Sequence, residues 1–171
     1  RPDLAHDFTA QRLLTLERAF AACDMGAEHV DAAFEVYYSA RNAVECYADT
    51  LPALAALAAR VPLVSISNGN ADLERIGLRH HFRAAISARA IGCAKPDARI
   101  FAAACEHLGI AAEHVLHVGD DPALDVAGAR AAGLRTCWLN RNGAAWSHGP
   151  APDLTIGDLN ALADWMLARA A

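Results

Sequence analysis

Between residues 61 and 140 the chain alternates two rhythms of apolar and polar positions. Short apolar or β-branched runs, "PLVSIS" (62–67), "AAIS" (84–87), "HVLHVG" (114–119) and "RTCWLN" (135–140), predict strands. Helical spacing fills the intervals, starting near Ala71 after the turn "NGN", over "DARIFAAACEHLG" (97–109), and over "PALDVAGARAAG" (122–133), which Gly133 stops. A last helix is expected from Asp158 to Arg169. Strands alternating with helices at this spacing imply parallel pairing through right-handed crossovers, so the fold class is α/β with an open parallel sheet.

The first sixty residues follow the helical rhythm alone. "FTAQRLLTLERAFAACD" (8–24) places Leu13, Leu16 and Phe20 on one face without Gly or Pro, predicting an amphipathic helix that ends by Gly26. A second helix fits 28–42, where Val30, Phe34, Tyr37, Tyr38 and Arg41 form a broad aromatic face. Asp49 is expected to cap a third helix through Arg60, with Pro52 in the first turn, where its missing N–H is tolerated. The organisation is a helical segment over 1–48 followed by an α/β core over 49–171, without an internal repeat or a low-complexity linker.

Composition narrows the partners. With 54% hydrophobic residues in 171, the chain can bury a sizeable core. Its net charge of -5, without a basic cluster, gives no electrostatic footprint for nucleic acid or an anionic membrane, which leaves small molecules as the expected partners. The longest apolar stretch, "LPALAALAA", is about half a membrane span, and no signal segment opens the chain, so a cytoplasmic protein is expected. Cys23, Cys46, Cys93, Cys105 and Cys137 are widely spaced, odd in number and without a CxxC pair, which argues for reduced thiols rather than disulfides or structural zinc. Nothing in the sequence signals an oligomeric state. Of 15 basic residues only Lys95 is lysine, a position where a compact ammonium is kept against a general drift to arginine.

In an open parallel sheet, ligands bind beyond the carboxyl ends of the strands. Three loops there carry chemistry. Ser67 follows "LVSI" and precedes Asn68, Gly69 and Asn70, where glycine lets backbone N–H groups approach an anion. Lys95 lies in "GCAKPD", and Asp120, Asp121 and Asp125 crowd the loop after "HVLHV". Adjacent carboxylates repel unless a cation balances them, and magnesium needs only one or two protein carboxylates beside water and a phosphate. A hydroxyl with amide donors, one ammonium and a metal-carrying acidic cluster together describe a phosphoryl site. His114 and His117 are three apart on a strand, face opposite sides and cannot jointly hold a metal, so both are expected to be structural.

"LVSISNGN", "KPD" and "HVGDDPALDVAGARAAG", in this order, resemble motifs two, three and four of the haloacid dehalogenase (HAD) superfamily, and residues 1–48 resemble part of the helical cap of its C1-capped phosphatases. A two-component receiver domain also uses Asp, Ser or Thr, and Lys, but in an order this chain reverses. The resemblance implies a HAD-like Rossmannoid sheet and a magnesium-dependent phosphomonoesterase working through a phospho-aspartate. Ser67 would hold the transferring oxygens, aided by Asn68, Gly69 and Asn70 as substrate-binding residues. Lys95 would offset charge on the nucleophile. Asp120 would bind Mg2+, with Asp121 a ligand or outer partner, and Asp125 outside the ligand shell orienting Lys95 or a metal-bound water. The motifs are most similar to a phosphatase subgroup acting on the phosphorylated ribitylamino-uracil intermediate of flavin biosynthesis, with flavin mononucleotide or another small phosphorylated metabolite as further substrates. Arg12, Tyr37, Tyr38, Arg41 and Tyr47 are within the segment that would reach a substrate, though packing is the commoner role of such aromatics.

The resemblance also implies a nucleophile motif, DxDxT, on a central strand, and this sequence has none; Asp3 and Asp7 follow no apolar strand. The chain is therefore expected to be part of a longer protein, inactive alone, with two strand edges left open; direct pairing of 63–67 with 114–118 would contradict this. Two alternatives stand beside the phosphatase: a metal-independent haloacid dehalogenase, and a non-catalytic fragment that binds a ligand or partner.

Overall fold

The computed structural model describes residues 1–169. Helix α1 (Phe8–Ala22) packs on α2 (Val30–Asn42), and α3 (Thr50–Ala58) leads into the α/β part. There follow β1 (Val64–Ser67), α4 (Leu73–Ile76), β2 (Ala84–Ser87), α5 (Ala88–Ile91), α6 (Ala98–Leu108) and β3 (Leu116–Gly119). A π-helical turn over Pro122–Ala127 continues as α7 (Gly128–Ala131), and β4 (Arg135–Leu139), β5 (Leu154–Ile156) and α8 (Leu159–Leu167) complete the order.

All strand pairs are parallel, as the alternation predicts, and the sheet is divided into two pieces with open edges, as expected for a chain without the DxDxT strand. One piece pairs β1 with β2 in the register Val64 to Ala84; the other has the order β3–β4–β5, with Leu116 opposite Arg135 and Cys137 opposite Leu154. Among the described residues no strand bonds the second edge of β1 or of β3, and residues 63–67 do not pair with 114–118. Each piece has its own core. Ile86, Ile100, Phe101, Ala104 and Ala129 form one, against which Val64 and Ile66 of β1 pack. Leu57, Cys137, Ile156, Leu162 and Ala163 form the other, joined by Leu116 and Val118 of β3. Phe101 is fully buried, worth roughly 2–3 kcal/mol in transfer free energy.

Several ends move inward from their expected positions because local caps take over. Asp72 accepts from Glu74 and Arg75, so α4 begins there rather than at Ala71, and Gly77 in the left-handed region ends it after one turn. The expected helix over 122–133 opens as the π turn, capped by Asp121. Asp49 takes the position before α3 without capping it: its carboxylate accepts both Arg141 Nη1 (3.1 Å) and Nη2 (2.8 Å), a fork with which a single amide cannot compete, and also Leu159 N at the start of α8. All five cysteines are free thiols.

Candidate active site

The site forms where β1 and β3 end. Alternation along β3 sends Leu116 and Val118 into one core and leaves His117 and Gly119 on the opposite face, where Phe101 meets the His117 ring edge-on at 5.1 Å. Asp125 comes up against that face from the π turn. Its carboxyl lies where a Cβ on Gly119 would fall, so only glycine admits this approach.

Asp125 is 4% exposed and serves three donors. Lys95 Nζ reaches Oδ1 at 2.6 Å, His117 Nε2 reaches the same oxygen at 3.0 Å, and Asp121 N–H donates to Oδ2 at 3.1 Å. An ionised carboxylate only accepts, which places the His117 proton on Nε2. Burial pushes the Asp125 carboxyl up, but the hydrogen bonds from His117 and Lys95, with the lysine charge, outweigh it and hold the carboxyl at about 2. Lys95 is thus a fixed, paired ammonium, with 13% of its side chain still open to solvent.

The Lys95 backbone is fixed by the loop after β1, in the same piece of the fold. Asn68 donates through Nδ2 to Lys95 O (3.0 Å) and accepts Lys95 N–H on Oδ1 (2.7 Å). The Asn68 side chain is therefore committed to the lysine loop, leaving its backbone for any ligand. Ser67 Oγ accepts Gly69 N–H at 3.0 Å, which folds the loop back on the serine. Asn70 Nδ2 is buried with no partner, and the Gly128 Cα side lies close against Pro96 and Phe101, seating α7 beneath the lysine loop.

The acidic pair divides. Asp120 is exposed; its carbonyl accepts Trp138 Nε1 (3.0 Å), while its carboxylate accepts no hydrogen bond among the described residues. Asp121 uses Oδ1 to cap the π turn, accepting Ala123 and Leu124 N–H groups at 2.8 Å, which leaves Oδ2 open. An oxygen-only set with one free carboxylate and half of another fits part of the shell of a hard divalent ion. No cluster of three or more His, Cys, Asp or Glu side chains able to hold a metal occurs among the described residues.

The structure brings together Ser67, Asn68, Gly69, Lys95, Asp121 and Asp125 through hydrogen bonds, in two linked groups. Of the helical-segment candidates, Arg12, Tyr37 and Arg41 line an open pocket beside Gly69 and Asn70. Tyr38 instead contacts Asp72 (3.5 Å), and Tyr47 stacks under Arg141 (4.1 Å). His117, read as structural from the sequence, is a partner of Asp125; its strand phase, shared with Gly119, was the signal for it. His114 lies on an exposed turn before β3.

Residues 2–133 match the family model of haloacid dehalogenase-like hydrolases. The chain belongs to that family. It is 32% identical over 169 residues to the 5-amino-6-(5-phospho-D-ribitylamino)uracil phosphatase YigB of Escherichia coli (strain K12), covering 94% of this chain and 71% of that protein. It is 36% identical over 131 residues to a phosphoserine phosphatase of Thermus thermophilus, covering 73% of this chain and 53% of that one. A crystal structure of 2-haloacid dehalogenase from Pseudomonas syringae pv. Tomato DC3000 superposes with a TM-score of 0.93 at 36% identity, covering 99% of this chain and 75% of that chain. This HAD-like hydrolase chain is thus shorter than each of these relatives. No helix among its described residues is long and apolar enough to cross a membrane.

Proposed function

We propose that the full-length protein is a magnesium-dependent phosphomonoester hydrolase acting through a phospho-aspartate. One observation carries this over dehalogenation: the Asp120 carboxylate accepts no hydrogen bond among the described residues at the end of β3, next in sequence to a second acid. Such a pair favours a cation and repels a substrate that is itself a carboxylate. The nucleophile implied by the family resemblance is absent from these 171 residues, so the proposal concerns the protein in which a DxDxT-bearing strand completes the site.

Within that site Ser67 Oγ and the backbone N–H of Asn68 hold the phosphoryl oxygens, while the Gly69 N–H orients the serine hydroxyl. Lys95, aimed by Asp125 and by the Asn68 clamp, lies against the nucleophile and the transferred group and offsets their charge without reorganising. Asp120, with Oδ2 of Asp121, would hold Mg2+. When bound, the ion supplies charge neutralisation and orients the phosphate oxygens. The helical pair α1–α2 acts as the cap, and the substrate is a small phosphorylated metabolite, of which the ribitylamino-uracil phosphate is one candidate.

The likeness to a 2-haloacid dehalogenase structure favours a second reading, metal-independent hydrolysis of a haloacid. The full-length protein decides between them when phosphate release from p-nitrophenyl phosphate and halide release from 2-chloropropionate are followed with magnesium and with a chelator. Magnesium-dependent phosphate release is expected. Halide release that persists with the chelator, with no phosphate release, would overturn the proposal.

A further inference from the structure

The pocket beside Gly69 and Asn70 has a chemistry the phosphoryl site does not use. It measures about 330 Å³ and lies between α1, α2 and the loop after β1, with Gln11, Arg12, Tyr37, Arg41 and Asn70 among its polar wall and no acidic residue. Among the described residues no carboxylate lies within ion-pair distance of Arg12 or Arg41; several other arginines share this, but these two meet at one pocket. Two uncompensated guanidinium groups thus share one small concavity.

Both arginines are exposed, and Arg12 has an aromatic partner. The Arg12 guanidinium stacks over the Tyr37 ring at 4.6 Å. Arg41 is the neighbour of buried Asn42, which accepts Asp72 N–H at 2.7 Å and donates to Tyr38 O at 2.8 Å, clamping the end of α2 onto the loop after β1. Arg41 Nη2 accordingly stands 3.7 Å from where a Cβ on Gly69 would be. The third donor is Asn70 Nδ2, buried and without a partner among the described residues, an arrangement that favours the arrival of an acceptor.

The loop separates two positions. Asn68 turns toward Lys95 and the phosphoryl site, while Gly69 and Asn70 border the pocket. A leaving group attached to a phosphoryl at Ser67 therefore extends toward the two arginines. Guanidinium forks match carboxylates and phosphates in two-point geometry, and the volume is at the small end for ligand pockets. We infer that the substrate is a compact phosphomonoester whose leaving group ends in a second oxyanion, carboxylate or phosphate, read by Arg12, Arg41 and the Asn70 amide. The inference rests on the phosphatase reading and separates such esters from those ending in a neutral polyol or ring.

The test compares matched esters on the full-length protein with magnesium: ethyl phosphate against phosphoglycolate, and propyl phosphate against propane-1,3-diol bisphosphate. The wild type should favour the member with the second oxyanion in at least one pair by tenfold or more in kcat/KM, and the favoured pair identifies the oxyanion. That ratio should fall toward one in Arg12→Gln and in Arg41→Gln, mainly through KM, with Arg41→Lys restoring part of it. A wild-type ratio near one in both pairs, or a ratio untouched by both glutamine variants, overturns the inference. If no ester is hydrolysed, the phosphatase reading fails on its own, and calorimetric binding of the same pairs then decides: tighter binding of the member with the second oxyanion, lost in the variants, supports the oxyanion pocket, and equal binding sinks it.

Discussion

Replacing Asp125 by Asn tests the charge network at the centre of the site. The substitution keeps the side-chain shape, and its amide oxygen can still accept one donor, but it removes the negative charge facing Lys95 and His117. The wild-type carboxyl is held at about 2 against an ordinary 3.8, a difference worth about 2.5 kcal/mol of folding free energy at neutral pH. Leaving a buried charge unpaired costs about 3–5 kcal/mol elsewhere, and the partial exposure of Lys95 brings the expectation toward the lower figure. A loss of about 2–3 kcal/mol, roughly 5–10 °C in melting temperature for a domain of this size, should follow. The sign with pH is fixed by the direction of the shift. Because the folded value is depressed, the contribution is complete above the unfolded value of 3.8 and fades as pH falls toward about 2, with about half of it gone at pH 3. Urea titrations of wild type and variant from pH 7 down to 3 should therefore converge at the acid end. Equal stability at pH 7, or a gap that stays constant down to pH 3, would refute the account of Asp125 as a carboxylate stabilised by Lys95 and His117.

Gly119→Ala puts a methyl group into the Asp125 carboxyl and should cost about 1–3 kcal/mol by overpacking, with a matching loss of activity as Lys95 shifts; wild-type melting behaviour would contradict the close approach. Asn42→Ala leaves the Asp72 N–H without its acceptor, so hydrogen exchange at Asp72 should accelerate and stability fall by about 1–3 kcal/mol, whereas unchanged exchange there speaks against the clamp. Asp49→Asn weakens the fork with Arg141, which holds the Asp49 carboxyl below its usual range; the wild-type advantage should be full near neutrality and fade as pH drops below the normal carboxylate value, measured by the same titrations. Asp120→Asn should abolish magnesium stimulation of phosphate release while barely moving the melting temperature, since that carboxylate supports no hydrogen bond among the described residues; retained stimulation would remove it from the metal shell.

Elements with a sustained period were legible in the sequence. Helix α6 reads cleanly because Ile100, Phe101 and Ala104 repeat on one face between the Asp97 cap and Gly109, and β2 occupies the predicted 84–87. Strand β5 went unread because it has only three residues, between Pro152 and Gly157, too few for alternation to register. The division of the sheet was anticipated from the missing DxDxT motif, since a parallel sheet that lacks its central strand leaves β1 and β3 with open edges. The candidate site was legible as loops at strand ends carrying Ser67, Lys95 and the acidic residues, because loop chemistry is local. What was not legible are the contacts across the chain: Asp49 with Arg141, the side-chain clamp of Asn68 on the lysine loop, and His117 under Asp125. In the last case the strand phase was visible, but the identity of what packs against that face was not.

The paired cores described above also bear on cooperativity. One core contains β1 and carries Ser67 and Asn68 at its edge; the other takes in β3 and leads into Asp120. Two packed units without a shared strand ladder are the arrangement in which sub-global opening differs from complete unfolding. Lys95, with Asn68 on its backbone and Asp125 on its side chain, ties the loop after β1 to the turn that connects β3 with α7 and the first core. Any fluctuation that parts the two units also dismantles the phosphoryl site, so occupancy of that site by an anion tightens the whole domain rather than the loops alone.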